Sequence, residues 1–544
     1  MKQYVIGIDF GTLSGRCLLM DAHTGEEVAE SVVEYPHAVM DERLPTGEPL
    51  PPSFALQHPK DYLEVLSVGI GKVLAKGGAT PDAVVGLGID FTACTLLPID
   101  ETGTPLCFHD SFKNEKHAYV KLWKHHGAQA FADRLVALAK ERREPWLPAF
   151  GGKVSCEWAL PKIMEILHEA PKVYDAAYRF TEAADWLSLL LTGEETHSAM
   201  FAGYKWLWTA EWGYPSNDFL TALDPRLDGL VGTKVSPLVT PMDAVAGRLN
   251  EEGARLTGLP VGTPLSVPMI DGHAAMPALN VTRRGQSMLI LGTSACHMLN
   301  ETVRRDVDGI CGYVKDGVVS GVYTYEAGQS GMGDIYGWFV DRCVPADYTA
   351  EAKEKGVSLH ALLTEKAAAL SVGESGLLAL DWWNGNRSVL VNASLSGMIL
   401  GLTLGTKPEE IYRTLLEATA FGLRVILERY EESGLAVRDI CAAGGIAGKN
   451  PLMMQIYADV LNRPIAVAGT PQAGARGSAI YASVAAGLYK TLTVAADHFA
   501  RPHSRVYTPI SENVVAYDRL YREYKTLHDY FGTENMVMER LKGK

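Results

Sequence analysis

The sequence contains no paired cysteine motif and no long uncharged apolar run. Its eight cysteines are scattered over 544 residues without a Cys-x-x-Cys pair, which gives neither zinc-site spacing nor a disulfide framework. We therefore expect mostly buried free thiols in a reducing compartment. No apolar run is long enough to span a bilayer, and Asp9 falls where a signal peptide would need its apolar core. These absences predict a soluble cytoplasmic protein that does not enter a membrane.

The chain also lacks a basic run. Its formal net charge is -14 at pH 7, whereas proteins that bind duplex nucleic acid normally concentrate Lys and Arg on one face. We therefore expect no nucleic-acid partner, although a turn or a helix N-terminus can still bind phosphate in an acidic protein. With 47% hydrophobic residues, the chain can build ordinary cores, and its length predicts at least two domains. The sequence leaves open whether it forms a homo-oligomer.

The stretch 5–16 begins as a buried apolar strand and breaks into a polar turn after Asp9. Phosphate binding needs N–H and hydroxyl donors, with a carboxylate close by to hold the metal that neutralises the charge. An ordinary hairpin turn that begins with an Asp fits the same residues equally well. The groups suited to phosphate and metal are Asp9, Gly11, Thr12, Ser14 and Arg16.

Residues 286–299 repeat this plan in the second half of the chain, with a strand, a Gly292-Thr293 turn and a returning strand. The repeat favours a pseudo-duplication with domains at 1–280 and 281–544. Thr12 and Thr293 can then donate to the phosphates of one nucleotide, while Asp9 holds Mg²⁺. This predicts an α/β fold of the two-domain actin-like (ribonuclease H-like) ATPase class, with a central interdomain cleft.

Two further strand ends carry candidate groups. Asp271 follows the predicted strand 265–270 and begins a helix, so it is either a general base or a simple helix N-cap. His273, in the first turn of that helix, is expected to be packed rather than catalytic. The turn from Gly444 to Asn450 joins a strand to a helix and offers room for the base and ribose of a nucleotide.

Lys205 and Glu326 are charged residues in unusual surroundings. Lys205 stands among the aromatic residues of 201–208, so it either extends to the surface or points into a polar pocket. Glu326 stands in 325–331, which we interpret as a Gly-rich turn into a helix, where it is either an ordinary loop charge or a partner for sugar hydroxyls.

Taken together and in this order, these motifs resemble the FGGY family of carbohydrate kinases over nearly the whole chain. The resemblance implies an N-terminal domain that binds sugar, a C-terminal domain that binds ATP, and Mg²⁺ as the metal. It implies a sugar pocket that includes Asp271 as the catalytic base. It rests on residues 7–16, 270–275, 291–294, 397–417 and 444–459.

The resemblance also assigns individual residues. The sugar pocket should contain Ala93, Trp123, Lys205, Asp271 and Glu326. The nucleotide should be contacted by Gly292, Thr293, Gly444, Gly445, Lys449 and Asn450.

The stretches 90–95, 151–153 and 202–208 resemble the family members that phosphorylate the 5-hydroxyl of L-ribulose during arabinose breakdown. Alternatives are a kinase of another ketopentose or pentitol, such as D-ribulose, xylulose or ribitol, and an actin-like ATPase without a sugar substrate. A catalytically silent sugar sensor is a third alternative, and the presence of Asp271 counts against it.

Overall fold

The computed structural model describes residues 2–470, 472–501 and 503–542, and its contacts divide the chain into two compact units. The first unit comprises Met1–Arg283, Tyr313–Thr324 and Gln472–Ala500. The second comprises Arg284–Gly312, Tyr325–Pro471 and Arg501–Lys544. Two segments from the second half of the sequence therefore pack with the first unit. A single boundary near residue 280 would assign both segments to the second unit. The binding roles of the two predicted domains stay predictions.

The first unit is built on a seven-stranded sheet. Its opening strand, Tyr4–Phe10, pairs antiparallel with Ser14–Asp21 and parallel with the central strand, Val84–Phe91. Both strands are apolar and almost entirely buried, as expected of parallel strands that are covered on both faces. The order across the sheet is Glu27–Glu34, Ser14–Asp21, Tyr4–Phe10, Val84–Phe91, Pro264–Ser266 and Val245–Arg248, and Met269–Ile270 also pairs with the central strand.

The second unit repeats this arrangement. Its hairpin of Gln286–Leu291 and Ala295–Glu301 lies beside Asp439–Ala443, which runs parallel to the first hairpin strand. Ile465–Val467 adds a further parallel strand and Arg505–Tyr507 an antiparallel one, so the strand senses follow those of the first sheet. The order is Tyr323–Gln329, Ala295–Glu301, Gln286–Leu291, Asp439–Ala443, Ile465–Val467 and Arg505–Tyr507.

Smaller strands complete the two units. Four of them form a second sheet in the first unit, in the order Leu56–Gln57, Val120–Lys121, Leu96–Ile99 and Arg179–Glu182. Leu378–Leu380 and Met398–Leu400 form a two-stranded sheet in the second unit, and Gly312–Lys315 is a further strand.

Helices surround both sheets, and the predicted helix from Pro408 to Glu432 is present with those bounds. In the first unit the α-helices are Pro59–Glu64, Ile70–Gly77, Gln129–Arg142, Ala159–Glu169, Pro171–Ala176, Ala183–Thr192, Ala199–Lys205, Asn217–Leu223, Leu230–Thr233, Glu251–Thr257, Asp271–Ala278, Ala473–Ala485 and Leu492–Phe499. In the second they are Gly333–Arg342, Ala346–Glu354, Leu359–Ala368, Pro408–Glu432, Gly445–Lys449, Pro451–Leu461, Ser511–Asp529 and Val537–Leu541. Among the described residues, no helix is both long enough and apolar enough to cross a bilayer.

The prediction of a Gly-rich turn at 325–331 is wrong. Most of this segment belongs to the strand Tyr323–Gln329. Its glycine, Gly328, is required by packing, because a Cβ there would lie 2.5 Å from the carbonyl oxygen of Ala295 in the second sheet. The glycine therefore marks a close backbone approach rather than a turn.

The helix Ala473–Ala485, called here the crossing helix, lies against the opening and central strands at backbone distance. A Cβ on Gly7 would stand 1.9 Å from the carbonyl oxygen of Ala475, and one on Gly88 would stand 2.1 Å from that of Ser478. The helix contributes a glycine of its own, since a Cβ on Gly477 would stand 1.6 Å from the carbonyl oxygen of Ala274. No real Cβ fits at such distances, so Gly7 and Gly88 allow the helix to touch the sheet, and Gly477 allows it to touch the helix Asp271–Ala278.

We expect Gly88→Ala to lower the melting temperature of the protein, because the added methyl group forces the crossing helix away from the sheet and overpacking typically costs about 1–3 kcal/mol. Gly71→Ala is the matched control. Gly71 is an exposed helical glycine with open space around its Cβ position, so its replacement should be neutral or stabilising. Differential scanning calorimetry of both variants tests the contact, and equal melting temperatures would contradict it.

Candidate active site

Three carboxylates stand at the ends of three neighbouring parallel strands. Asp9 and Asp90 are register partners in the opening and central strands. Ile270 is paired with Phe91, one residue further along, and Asp271 follows Ile270 directly. Because parallel strands place their carboxyl ends at one edge of a sheet, these three side chains share the edge where α/β proteins bind ligands.

Asp90 is completely buried and lies against the first turns of the crossing helix. Ser478 Oγ donates a hydrogen bond of 2.5 Å to Asp90 Oδ2, and Asp90 Oδ1 receives none from the described residues. A Cβ on Gly474 would stand 3.4 Å from Asp9 Oδ2 and 3.6 Å from Asp90 Oδ1. The two carboxyl groups therefore approach the same point beside the helix.

The electrostatics of this pair reflect burial and mutual repulsion. Burial raises the pKa of Asp9, while interaction with the Asp90 carboxyl group and the charge of Arg16 oppose the rise. Burial and then the negative charge of Asp9 raise the pKa of Asp90 well above its ordinary value. Two adjacent carboxyl groups share a proton unless a cation lies between them and allows both to ionise. Since oxygen ligands are those that Mg²⁺ prefers, Asp9 and Asp90 fit a magnesium ion.

Asp90 is a residue of this edge that the sequence prediction missed. Its strand was recognised, and so was the general role of strand ends, but no function was assigned to the acidic residue itself. The available signal was the likeness of the two strands, since 5–9 and 85–90 are both apolar runs that end in Asp.

The turn after the opening strand is a tight hairpin. Gly11 N donates to the carbonyl oxygen of Ser14 at 3.0 Å, and Gln57 Nε2 fixes the turn by donating to the carbonyl oxygen of Thr12 at 2.8 Å. Trp123 Nε1 donates to Thr12 Oγ1 at 3.3 Å. This contact brings a residue predicted to bind sugar against the turn predicted to bind phosphate. Arg16 is exposed on the returning strand, in register with Asp9.

In the second unit, three backbone turns meet around Gly292. Gly292 N donates to the carbonyl oxygen of Ser294, and Gly333 N, at the start of a helix, donates to that of Gly292, both at 3.0 Å. Gly444 has a φ of 100°, and a Cβ there would lie 2.4 Å from the carbonyl oxygen of Leu291. The glycines therefore bring the Gly292-Thr293 turn together with the Gly444-Gly445 turn.

The remaining predicted nucleotide residues lie just beyond this meeting point. Gly445 and Lys449 are exposed and form the two ends of the short helix Gly445–Lys449. Asn450 Oδ1 accepts a hydrogen bond of 3.0 Å from Met453 N and so caps the helix Pro451–Leu461. That oxygen already has a structural role, and contact of Asn450 with a nucleotide stays a prediction.

Asp271 is the first residue of the helix Asp271–Ala278 and is half-buried. Its Oδ1 accepts a hydrogen bond of 2.6 Å from the next backbone N–H, that of Gly272. An N-cap normally accepts from a residue two or three positions further on, so the geometry differs from simple capping. His273 is buried with its ring centroid 4.3 Å from that of Tyr204, which agrees with the expectation of a packed histidine.

Lys205 is buried, with 7% of its surface exposed, at the end of the helix Ala199–Lys205. The alternative in which this side chain extends to the surface is therefore wrong. Its ammonium lies 5.9 Å from the ring centroid of Trp158 and 5.8 Å from that of Tyr204, within the range of cation–π attraction. Ala93 is half-buried in the turn that follows the central strand.

Glu326 differs from the other predicted sugar-binding residues. It lies in the second unit, within a strand, and is 3% exposed. Arg387 Nη2 stands 3.0 Å from its Oε1, so a cation already neutralises this carboxylate. The alternative of an ordinary charge at a loop edge is wrong, and a role of Glu326 in sugar binding stays a prediction.

A separate cluster of possible metal ligands, His117, Glu165 and Glu169, has ligand atoms within 4.8 Å of one another. Lys121 Nζ lies 3.0 Å from Glu165 Oε2, and both side chains are fully buried. The ammonium therefore occupies the position of a cation, and it would repel a metal ion. We interpret this cluster as structural.

Comparison with solved structures defines the fold class as that of the two-domain sugar kinases with an actin-like ATPase fold. A xylulose kinase from Rhodospirillum rubrum superposes with a TM-score of 0.80 at 23% identity, covering 97% of this chain and 99% of that one. A glycerol kinase from Plasmodium falciparum, crystallised with ADP, gives a TM-score of 0.75 at 16% identity, with 96% and 98% covered. These similarities concern the fold alone.

Sequence comparison is more specific. Residues 4–277 match the N-terminal domain and residues 287–486 the C-terminal domain of the FGGY family of carbohydrate kinases. A ribulokinase from Bacillus licheniformis is 50% identical over 535 residues, covering 97% of each chain. Another from Geobacillus thermodenitrificans is 50% identical over 548 residues, covering 99% of this chain and 97% of the relative. The chain belongs to the FGGY family of carbohydrate kinases.

Asp9→Asn and Thr293→Val should weaken different steps of nucleotide binding. Loss of the Asp9 charge should raise the Mg²⁺ concentration needed for half-maximal activity about tenfold or more, because a carboxylate ligand is removed. Thr293→Val should raise the Kd for ADP by about tenfold at saturating Mg²⁺, because a hydroxyl donor to phosphate is lost. Steady-state kinetics over a range of Mg²⁺ concentrations measures the first effect, and calorimetric titration of ADP measures the second. Parent-like values in both variants would exclude these roles.

Proposed function

We propose that this enzyme transfers the γ-phosphoryl group of ATP to the 5-hydroxyl of L-ribulose, giving L-ribulose 5-phosphate and ADP. One observation carries the choice of sugar. Relatives named ribulokinase share half of their residues with this chain over nearly its whole length. Identity of this extent normally preserves the shape of a pocket, which supports a pocket for the same sugar in this chain.

The carboxyl edge of the first sheet supports the chemistry. Asp271 stands at this edge, half-buried, and accepts the proton of the sugar hydroxyl as that oxygen attacks phosphorus. Lys205 and Trp123 supply a buried cation and an aromatic face for orienting a polyhydroxylated ligand. Asp9 and Asp90 would hold Mg²⁺, which when bound neutralises charge on the phosphates.

We also propose that the enzyme is cytoplasmic and that its ligands are a sugar and ATP. All eight cysteines are free, and five of them are buried. Free thiols are typical of proteins in reducing compartments. We propose no nucleic-acid or membrane partner, and gel filtration with light scattering tests whether the protein forms a homo-oligomer.

Asp271→Asn should lower kcat by roughly 10²-fold or more, because the amide keeps the size of the side chain but cannot accept a proton. The Kd for ADP should change less than about twofold, since the replaced group acts on the sugar. Steady-state kinetics and a nucleotide titration measure the two quantities. A variant with near-normal kcat would remove Asp271 from the mechanism.

L-Ribulose should give the highest kcat/KM in a panel of ketoses, pentitols, glycerol and aldohexoses assayed for ADP release. A misplaced hydroxyl leaves a buried polar group unpaired, which costs about 1–3 kcal/mol and lowers kcat/KM by about 5- to 150-fold. A clear preference for xylulose, D-ribulose or ribitol would replace the proposed sugar and keep the mechanism. Rapid ATP hydrolysis without any sugar would instead favour the ATPase alternative.

A further inference from the structure

Two fully buried charged residues, Lys162 and Glu182, lie on opposite sides of the turn that follows the central strand. Lys162 belongs to the helix Ala159–Glu169, and Glu182 ends the strand Arg179–Glu182. Neither residue was identified from the sequence, and neither belongs to the predicted pocket. Burying an ionised side chain is costly unless its charge is matched by hydrogen bonds or an opposite charge.

The ammonium of Lys162 donates hydrogen bonds to backbone carbonyl oxygens rather than to a carboxylate. Its Nζ donates to the carbonyl oxygen of Cys94 at 2.8 Å and to that of Leu122 at 2.9 Å. Cys94 directly follows Ala93, and Leu122 directly precedes Trp123. One ammonium therefore ties together the two backbone segments that carry Ala93 and Trp123.

The turn that Lys162 holds has a conformation that needs support. Cys94 has a φ of 64°, in the left-handed region that a residue with a side chain rarely adopts. Such a conformation persists only when the surrounding structure maintains it. Two hydrogen bonds supply that constraint. Lys162 Nζ donates to the carbonyl oxygen of Cys94, and the N–H of the next residue, Thr95, donates to Glu182.

Glu182 holds the other side of the same turn. Its Oε2 accepts hydrogen bonds from Thr95 N at 2.7 Å and from Thr95 Oγ1 at 2.8 Å. Its Oε1 accepts one from Trp206 Nε1 at 2.8 Å. Trp206 directly follows Lys205, so this carboxylate links the turn to the segment that carries the buried ammonium.

We propose that Lys162 and Glu182 are positioning residues that fix Ala93, Trp123 and Lys205 relative to one another and so set the affinity and selectivity for the sugar. This inference rests on the proposed function of those three residues. Both charges act through the segments that they bind, and neither touches the substrate. A purely structural role would lower stability without changing sugar recognition in particular.

The electrostatics agree with a coupled pair. Burial lowers the pKa of the Lys162 ammonium, and the charge of Glu182 is one of several nearby interactions that oppose this effect. Burial raises the pKa of Glu182, and the hydrogen bonds from Trp206 and Thr95 oppose the rise. Each charge therefore helps to keep the other ionised on its side of the turn.

The mildest test is a pair of substitutions at Thr95, which is fully buried. Thr95→Val keeps the shape of the side chain and removes the hydroxyl that donates to Glu182, whereas Thr95→Ser keeps that hydroxyl. We expect Thr95→Val to lower kcat/KM for the sugar about tenfold, chiefly through KM, and Thr95→Ser to recover most of it. The Kd for ADP should change less than twofold in both. The sugar used is whichever one the parent enzyme phosphorylates best.

Glu182→Gln removes the negative charge and should lower kcat/KM for the sugar by about 10- to 100-fold, since a small misplacement of binding groups is enough for such a loss. Asp224→Asn is the matched control. Asp224 is a buried carboxylate of the same unit, and its side chain binds His168 and Arg226 rather than the segments that carry Ala93, Trp123 and Lys205. It should lower the melting temperature without changing sugar KM.

The inference is overturned if Thr95→Val and Glu182→Gln affect sugar kcat/KM no more than Asp224→Asn does. A parallel loss of ADP affinity would overturn it as well. If Glu182→Gln fails to fold, the comparison of Thr95→Val with Thr95→Ser decides. The parent enzyme's preferred sugar is used throughout. If L-ribulose is not that sugar, the substrate panel of the parent enzyme shows it, whereas the ratios of variant to parent kcat/KM still test the inference.

Discussion

The contact between the crossing helix and the first sheet is the constraint on which the candidate site depends. Gly7 and Gly88 bring the sheet into backbone contact with the helix, and Gly477 does the same for the helix that begins at Asp271. This closeness allows Ser478 to reach Asp90 and places Gly474 beside both carboxyl groups. Larger residues at these positions would move the helix away and leave two buried carboxyl groups without their neighbours.

The candidate site has two parts, a row of carboxyl groups at the edge of the first sheet and a set of less regular segments beside it. Asp9, Asp90 and Asp271 are held by strand register, which cannot shift by one residue without reversing every buried side chain of the strand. The segments that carry the proposed sugar-binding residues Ala93, Trp123 and Lys205 are instead held by the buried charges of Lys162 and Glu182, which bind backbone and side-chain atoms. The two halves of the site are therefore fixed by different kinds of interaction.

Local patterns predicted much of this from the sequence. The Asp9 turn, the repeat at Gly292 and the helix from Pro408 to Glu432 are each determined by residues close together in the chain, so their signals lie within one window. Glu326 was misplaced because Gly328 was interpreted as a turn residue, whereas its small size serves a contact with a neighbouring strand. Lys162 was missed because a charged residue in a helix normally indicates a solvent face, and its partners are 40 or more residues distant in sequence.

The position of the crossing helix in the chain has a consequence for biosynthesis. The first sheet lacks this cover until residues 473–485 have left the ribosome, long after its own strands have been made. During that time its glycine-lined face has no helix against it, and exposed apolar strands of this kind favour aggregation. The first unit thus cannot be completed by a nascent chain that contains only its N-terminal half, because its assembly requires the crossing helix.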